Sequence, residues 1–442
     1  MPGDPAGNWW DRDPDPCESI LRAPIEHYIR TLRISWEIIK TLAPDDYVVV
    51  AGVGFESFLD AILRNTDNPN GGSITPEYPH RGGAYFDVMG FHTYPDIDGS
   101  VRAYNSQIGG FEYFRHSDAA AKGVTRRQNN YQAILDNYGY DGATYPKKEW
   151  IITEFNVPRV QFNPNSMSGG DDLQINYIIK ATIEAMRADI RQIHAYTLGD
   201  KKRESEASTE FDLLGMYKFL GDAYPDNEVM NPIGVSYKTV SDMLYGTTFD
   251  AQRTAAMNLP ENVGGGAFRK ASGEYVYSLW AVTMTDQSEF ANANYSFPAG
   301  LGINQLFQKE WDYSSTGQTN PVNSQNLALT GRPIFLTETA NAALFQGRVL
   351  FNNATHLSVK NVLPNPAVDY VDLILQSVEE MPVTVDIYDA NGILQIRKTE
   401  AVRKGFTTMH FDIDDLATGM YFIHVQSSNR KTTKIKFIKQ RM

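Results

Sequence analysis

Between residues 25 and 246 one pattern recurs four times: a strand-length apolar run, a loop rich in glycine and asparagine, then an amphipathic helix. The apolar runs are YVVVAGVG from Tyr47, AYFDVMGFHTYP from Ala84, EWIITEFN from Glu149 and DIRQIHAYTLGD from Asp189. The first is β-branched and ends in glycines, and the second carries polar groups only near its end. Strands buried on both faces read this way, because helices cover them above and below. The helices expected after them are FESFLDAILRNT, a segment around Arg127–Asn137, residues 171–187 and Ser236–Leu244. A further helix precedes the first run, with Ile25, Ile29, Leu32, Trp36, Ile39 and Leu42 spaced by three or four on one face. Four such repeats imply βα units around a parallel sheet.

The period changes near residue 247. FDAQRTAAMNL, GGGAFRKASGEYVYSLWAVTM, NYSFPAG and GRPIFLTETA read as antiparallel strands with polar hairpins. After turn signals at Gln346–Asn353 a third block begins, with YVDLILQSV, VTVDIYDANGILQIRK, FTTMHFDI, GMYFIHVQ and TTKIKFIK as short alternating strands joined by Asn-Gly, Gly and Asp turns. The expected organisation is therefore multidomain: a βα portion over 1–246, an antiparallel β-domain over 247–352, and a small β-sandwich over 353–442. Charge follows the same division. The 442 residues carry 53 Asp and Glu against 40 Lys and Arg, a net of −13, whereas residues 353–442 hold 11 basic against 10 acidic residues.

That acidic balance argues against a nucleic-acid partner, which needs concentrated basic surface. The single cysteine, Cys17, excludes an internal disulfide framework and a cysteine zinc cluster. No stretch approaches the ~18 apolar residues of a membrane-spanning helix. The eight histidines show no metal-ligand spacing, and no phosphate-cradling glycine loop follows a strand. Gly264-Gly265-Gly266 precedes a strand and reads as a hairpin or linker. Neither a metal nor another cofactor is expected. Residues 1–24 are rich in Pro, Asp, Gly and Trp, read as loop, and carry neither the basic nor the apolar region of a signal peptide.

In a βα barrel the reacting groups stand where strands end and loops begin. The first polar residues after the apolar runs are His92 and Tyr94, Glu154 and Asn156, and Tyr196. Glu154 directly follows Trp150-Ile151-Ile152-Thr153, a position that suits a nucleophile or a charge facing a developing cation. His92 and Tyr94, one strand earlier, could support it by hydrogen bonding, with Asn156 and Tyr196 as candidate substrate contacts. A solvated cap or salt-bridge role for Glu154, and a structural hydrogen bond for His92, stay open on these residues alone. Adjacent Trp9 and Trp10, in a polar loop without amphipathic pattern, suit stacking on sugar rings, or one plugs the rim of the fold. Glu18, at the approach to the first helix, is either an acid/base group carried back by the loop or a negative charge at a helix start.

YFDVMGFHTYP followed by EWIITEFN resembles the sixth and seventh strands of the retaining clan-A glycoside hydrolases, (β/α)8 barrels whose seventh strand ends in the nucleophilic Glu. The resemblance covers about residues 25–340. It implies that YVVVAGVG is the fifth strand and IRQIHAYTL the eighth, that the chain holds strands five to eight of a TIM barrel, and that Glu154 is the nucleophile. The β-domain containing FRKASGEYVYSLWAV and LTGRPIFLTE is similar to the one that several families of that clan append. The implied activity is a retaining O-glycosyl hydrolase acting on β-linked poly- or oligosaccharide. The Asn-Glu-Pro tripeptide that carries the clan's acid/base residue does not occur, so the chain is expected to be an N-terminally truncated portion of a longer enzyme, inactive as it stands. The competing reading is a non-catalytic secreted glycan-binding or scaffold protein with a degenerate barrel.

The last block opens with Pro364-Asn365-Pro366, carries Gly419, Tyr421 and Val425 in one strand, and closes with Lys434, Lys436 and Lys439. These elements, in this order, resemble the type A C-terminal sorting domain of the type IX secretion system of Bacteroidota. The resemblance implies engagement of that machinery and a secreted or outer-surface location.

Overall fold

The computed structural model describes residues 24–95, 97–113, 116–160, 169–222, 228–286, 288–303, 305–340, 357–377, 379–403, 405–427 and 432–440. The chain divides into two compact units, Met1–Phe345 and Gln346–Met442. Trp9, Trp10, Cys17 and Glu18 lie outside the described residues.

In the first unit, helix α1 (Ile25–Leu42) buries Ile25, Ile29 and Leu32, with Trp36 and Ile39 packed at the margin and Leu42 exposed. The chain then enters the first parallel stave, residues 48–53, and continues into α2 (Glu56–Arg64). Strand β1 (Val88–Thr93) follows, then a small hairpin of β2 (Arg102–Asn105) and β3 (Gly110–Tyr113), then α3 (Ser117–Asn137). Strand β4 (Glu149–Phe155) leads to α4 (Asp171–Arg187), and β5 (Gln192–Ala195) leads through a long loop to α5 (Pro232–Leu244). The sheet order is β1-β4-β5, parallel throughout, and residues 48–53 join the free side of β1 through parallel bridges Val49–Val88 and Val53–Phe91. Staves that neighbour one another in chain order, with a helix after each, form a singly wound sheet in which all four loop-bearing ends point the same way.

The first stave is irregular for a physical reason. Val50 N donates to Val88 O and Val53 N to Gly90 O, so two residues, Ala51 and Gly52, bulge between consecutive ladder bonds. A Cβ on Gly52 would stand 1.9 Å from Nε2 of His92. Only glycine lets the backbone pass under that imidazole.

The antiparallel part consists of β6 (Thr247–Phe249), α6 (Ala251–Ala256), β7 (Val263–Lys270), β8 (Tyr275–Ala281), β9 (Asn292–Tyr295), β10 (Leu306–Lys309), α7 (Tyr313–Thr316), β11 (Asn320–Val322), β12 (Leu327–Thr330) and β13 (Ile334–Thr337). Six of these strands make one sheet, ordered β11-β10-β13-β8-β7-β6, and β9 pairs with β12. Two sequence expectations change here. Most of FDAQRTAAMNL is not strand: Asp250 caps α6 by accepting from Arg253 N at 2.7 Å, and Ala-Gln-Arg-Thr-Ala-Ala follows as good helix formers. Gly264-Gly265-Gly266 is not a linker but the middle of β7, where a Cβ on Gly265 would meet Ser278 O at 1.9 Å and Gly264 lies against the Trp280 indole.

The helices and the six-stranded sheet share one apolar core, to which Phe268, Val276, Trp280 and Phe335 contribute from the sheet side. A buried polar cluster crosses the same boundary. Lys180 Nζ on α4 donates to Asp118 Oδ2 and Ser117 Oγ, each at 2.8 Å, and Trp280 Nε1 donates to Asp118 Oδ1 at 2.6 Å. Glu289 accepts from Ser117 N, Ser117 Oγ and Asn176 Nδ2. Burial lowers the Lys180 pKa and raises that of Glu289, each opposed by its oppositely charged neighbours.

The second unit is two antiparallel sheets, β14 (Leu357–Leu363), β15 (Tyr370–Ser377) and β18 (Gly405–Asp412) facing β17 (Leu394–Val402), β16 (Met381–Asp389), β19 (Gly419–Ser427) and β20 (Thr432–Lys439), in the orders β14-β15-β18 and β17-β16-β19-β20. Alternate residues such as Val383, Val385, Ile387 and Ile423, Val425 enclose its own core. The architecture is thus multidomain, with a mixed α/β portion and a distinct C-terminal β-domain.

Candidate active site

Glu154 stands at the loop-bearing end of β4, its side chain about one-third exposed. The parallel register sets His92 directly beside it, because the ladder shifts between Phe91 and His92 and pairs His92 with Glu154. Tyr94, two residues further on, donates its hydroxyl proton to Glu154 Oε2 at 2.7 Å. That is the short contact expected of a hydroxyl on a carboxylate. Burial, and then the carboxylate itself, push the phenol pKa far upward, so Tyr94 remains a proton donor at every ordinary pH.

His92 takes a different part. Its Nδ1 lies 3.6 Å from Glu154 Oε2, beyond hydrogen-bonding distance. Burial lowers its pKa, Glu154 raises it and Arg127 lowers it again, with the net result downward. At neutral pH the ring is therefore an uncharged neighbour of the carboxylate rather than its ion-pair partner.

Arg127 carries no mark in the sequence, yet it fixes this corner. Buried on α3, it donates from Nε to His92 O at 3.1 Å, and from Nη2 to Gly54 O and Tyr131 Oη at 2.8 Å each. It thereby ties the ends of the first stave and β1 together. Thr93 Oγ1 adds a bond to Asp98 Oδ2 at 2.9 Å, which holds the loop leaving β1.

Aromatic rings pack around Tyr94. Tyr196, just past β5, meets Tyr94 edge-on at 6.4 Å between ring centres, and Phe211 meets it at 5.9 Å from the loop after β5. Phe211 escapes pattern reading; a lone aromatic in Ser-Thr-Glu-Phe-Asp is the one signal that points to it. Lys201 Nζ lies 5.3 Å from the Tyr196 ring centre. The loop itself is organised by buried Asp200, which accepts from Arg159 Nη2 at 2.9 Å, Gly215 N at 2.8 Å and Asn231 Nδ2 at 3.1 Å. Arg159 follows β4, so one guanidinium links the loops after β4 and β5.

Asn156 does not face this cleft, and the sequence expectation of a substrate contact is corrected. It is buried, its Nδ2 donates to Tyr196 O at 2.5 Å and Leu214 O at 2.9 Å, and its Oδ1 accepts from Val157 N and Gln174 Nε2. All of its amide capacity goes to protein groups, and its role is to join loops. Glu154, Tyr94, His92 and Tyr196 do come together. Among the described residues no group of three or more His, Cys, Asp or Glu side chains is placed to hold a metal ion.

In the second unit the Pro364-Asn365-Pro366 opening is stitched to the last strand. Asn365 Oδ1 accepts from Ile438 N at 3.0 Å, and Ala367 exchanges backbone bonds with Ile438 and Gln440. Gly419 begins β19, and Tyr421 stacks on Phe437 at 5.4 Å while donating to Ala417 O. The lysines of β20 differ from one another. Lys436 is exposed, whereas Lys439 is buried with Nζ on Ile413 O at 2.5 Å and Asp414 O at 3.1 Å. Lys434 lies on β20 opposite His424.

Comparison with the curated proteins gives no match. Among solved structures, the chain is distantly similar to several glycoside hydrolases. The GH51 arabinofuranosidase from Xanthomonas axonopodis pv. citri is 12% identical, with 70% of this chain and 62% of that one covered and a TM-score of 0.37. The family 51 alpha-L-arabinofuranosidase AbfB from Bifidobacterium longum is 9% identical over 75% and 66%, at 0.43. A glucosidase from Croceicoccus marinus is 13% identical over 90% and 65%, at 0.34. The chain thus spans 62%, 66% and 65% of the lengths of these three, and TM-scores of this size carry no argument about mechanism or substrate. Among the described residues no helix is long and apolar enough to cross a membrane. Residues 361–440 match the family described as Secretion system C-terminal sorting domain, and this C-terminal domain marks the chain as a secreted or surface protein of the type IX route typical of Bacteroidota.

Proposed function

We propose that the first unit is the catalytic portion of a retaining glycoside hydrolase, with Glu154 as nucleophile. The observation that carries this reading is the carboxylate itself: part-exposed at the end of a rigid parallel strand, with one oxygen engaged by Tyr94 at 2.7 Å and an uncharged imidazole beside it. A carboxylate so held is positioned to attack an anomeric carbon, and the Tyr94 hydroxyl fixes which oxygen is oriented.

In the first displacement Glu154 forms the bond to the anomeric carbon as the glycosidic bond breaks and its oxygen leaves with a proton from a second carboxyl group. In the second, that group takes a proton from water, whose oxygen attacks the anomeric carbon and breaks the bond to Glu154, restoring the carboxylate. Double displacement requires a second carboxyl group about 5–5.5 Å from the first. Glu18, which the sequence offers either as this group or as a negative charge at a helix start, lies outside the described residues. Tyr196 and Phe211 supply apolar faces for a sugar ring beside Tyr94. β-linked glycan is the substrate class proposed, and the sorting domain places the work outside the cell.

The test is hydrolysis of a panel of aryl β-glycosides and β-glycans by the full chain and by Glu154→Gln. Turnover by the wild type that disappears in Glu154→Gln supports the assignment. Turnover that survives the substitution removes it, and glycan binding without turnover in either protein turns the reading to a non-catalytic glycan-binding protein.

A further inference from the structure

At the opposite end of the parallel sheet, where the staves begin, a cleft of about 640 Å³ opens. Its floor is formed by the residues that immediately precede three staves, Tyr47, Asp87 and Lys148. Five residue steps of β4 separate Glu149 at its rim from Glu154, roughly 17 Å at ~3.3 Å per residue. The cleft therefore shares no surface with the candidate active site, and its own chemistry stands whether or not Glu154 is a nucleophile.

The cleft combines flat rings with positive charge. Tyr140 and Tyr145 lie 5.1 Å apart at 33°. Lys148 Nζ sits 4.4 Å from the Phe86 ring centre and 4.3 Å from that of Tyr140, and Arg81 lies over Tyr138 at 5.9 Å. Two of the three Lys148 donors go to backbone carbonyls, Gly83 O at 2.8 Å and Phe86 O at 2.5 Å. The two acidic residues of the lining have cations of their own: Asp87 pairs with Lys40 at 2.8 Å and Glu149 with Arg191 at 3.7 Å. Lys147 has Asp141 as an acidic neighbour, and Arg81 and Lys148 are left to set the local field. Burial pulls the Lys148 ammonium down to about 8, against the pull of Asp87.

Tyrosine faces suit the C–H face of a pyranose, their hydroxyls suit its hydroxyl groups, and an unbalanced cationic patch in a half-apolar cleft suits an anion. A volume of about 640 Å³ falls in the ~300–1,000 Å³ range of small-ligand sites. We propose that this cleft binds an oligosaccharide carrying an anionic substituent, a carboxylate or a sulfate ester, at a site remote from Glu154.

Calorimetric titration of the full chain tests this with four probes: trigalacturonic acid for the carboxylate, a sulfated carrageenan tetrasaccharide for the sulfate ester, xylotriose for a neutral sugar and inorganic sulfate for the anion alone. At least one charged oligosaccharide is expected to bind about tenfold or more tightly than xylotriose and inorganic sulfate, a difference of ~1.4 kcal/mol. Which of the two binds identifies the anion. Because Lys148 also ties two carbonyls, the variants are the exposed Tyr145→Ala and Arg81→Gln, each expected to weaken binding about tenfold with an unchanged melting temperature, whereas Glu154→Gln leaves it intact. The proposal is overturned if neither charged oligosaccharide binds, if xylotriose or inorganic sulfate binds as tightly, if both rim variants bind as the wild type does, or if only Glu154→Gln abolishes binding.

Discussion

Two charged clusters of the first unit solve opposite problems. Around Lys180 the charges are met by partners: buried Asp118 meets an ammonium, an indole N–H and the Thr283 backbone N–H, and half-buried Glu289 accepts from Ser117 and Asn176. Around Glu154 the charge has one short hydrogen bond, an uncharged ring at 3.6 Å and about a third of its surface open. Burial without partners is costly, so an architectural charge is surrounded by them. A reactive charge must keep a face for substrate. Under the proposed function, Glu154 differs from the carboxylates around Lys180 in its partners.

Substitutions can break that contrast. The largest expected effect is on activity: Glu154→Gln in an active preparation lowers turnover by roughly 10⁵–10⁶-fold, as removal of a nucleophile does, while its stability in urea stays within ~0.5 kcal/mol. A matching loss of stability would move Glu154 into the architectural class. Lys180→Met does the reverse. It strands Asp118 and Glu289 beside apolar surface, and urea unfolding should show a loss of ~3–5 kcal/mol. Tyr94→Phe sharpens the difference, since a hydrogen bond to a charged group contributes ~1.5–3 kcal/mol. About ten- to hundredfold in turnover is expected, with little change in substrate affinity.

The smallest effect is on titration. His92 titrates below the ordinary histidine value because of burial, with Arg127 adding to the shift and Glu154 opposing it. Histidine NMR should therefore show its pKa rising in Arg127→Gln and falling further in Glu154→Gln. Stability depends on pH accordingly, because the folded state binds the proton more weakly than the unfolded one. The His92 contribution is complete above about 6.5 and is lost as pH falls through the folded value. A His92 pKa above that of an unfolded histidine would contradict the geometry.

The sequence discloses local patterns well and distant partners poorly. Helix α4 runs over Asp171–Arg187, the span its periodicity predicts, and the strand-end residues of β1 and β4 meet because parallel register carries them there. Helix α3 begins at Ser117, ten residues before the expected Arg127, because Ser-Asp-Ala-Ala-Ala-Lys-Gly-Val has small residues in place of an apolar stripe. Gly123 within it packs against Ser100, where a Cβ would stand 1.9 Å from Oγ. Asn156 looks like a cleft residue by position, but its partners, Tyr196 O and Leu214 O, lie 40 and 58 residues away. Arg127 and Phe211 gain their meaning from neighbours on other elements, which no spacing announces. The C-terminal block is legible from β15 to β20, since alternating strands and tight turns are local signals, whereas β14 (Leu357–Leu363) is not among the expected strands.

Covalent trapping puts the central claim to its most direct trial. An active preparation incubated with a 2-deoxy-2-fluoro β-glycoside that has a good leaving group should accumulate a glycosyl-enzyme, and peptide mass spectrometry should place the sugar on the Glu149–Asn156 segment at Glu154. A turnover-competent enzyme that forms no adduct, or one whose adduct lies on another carboxylate, would contradict the assignment.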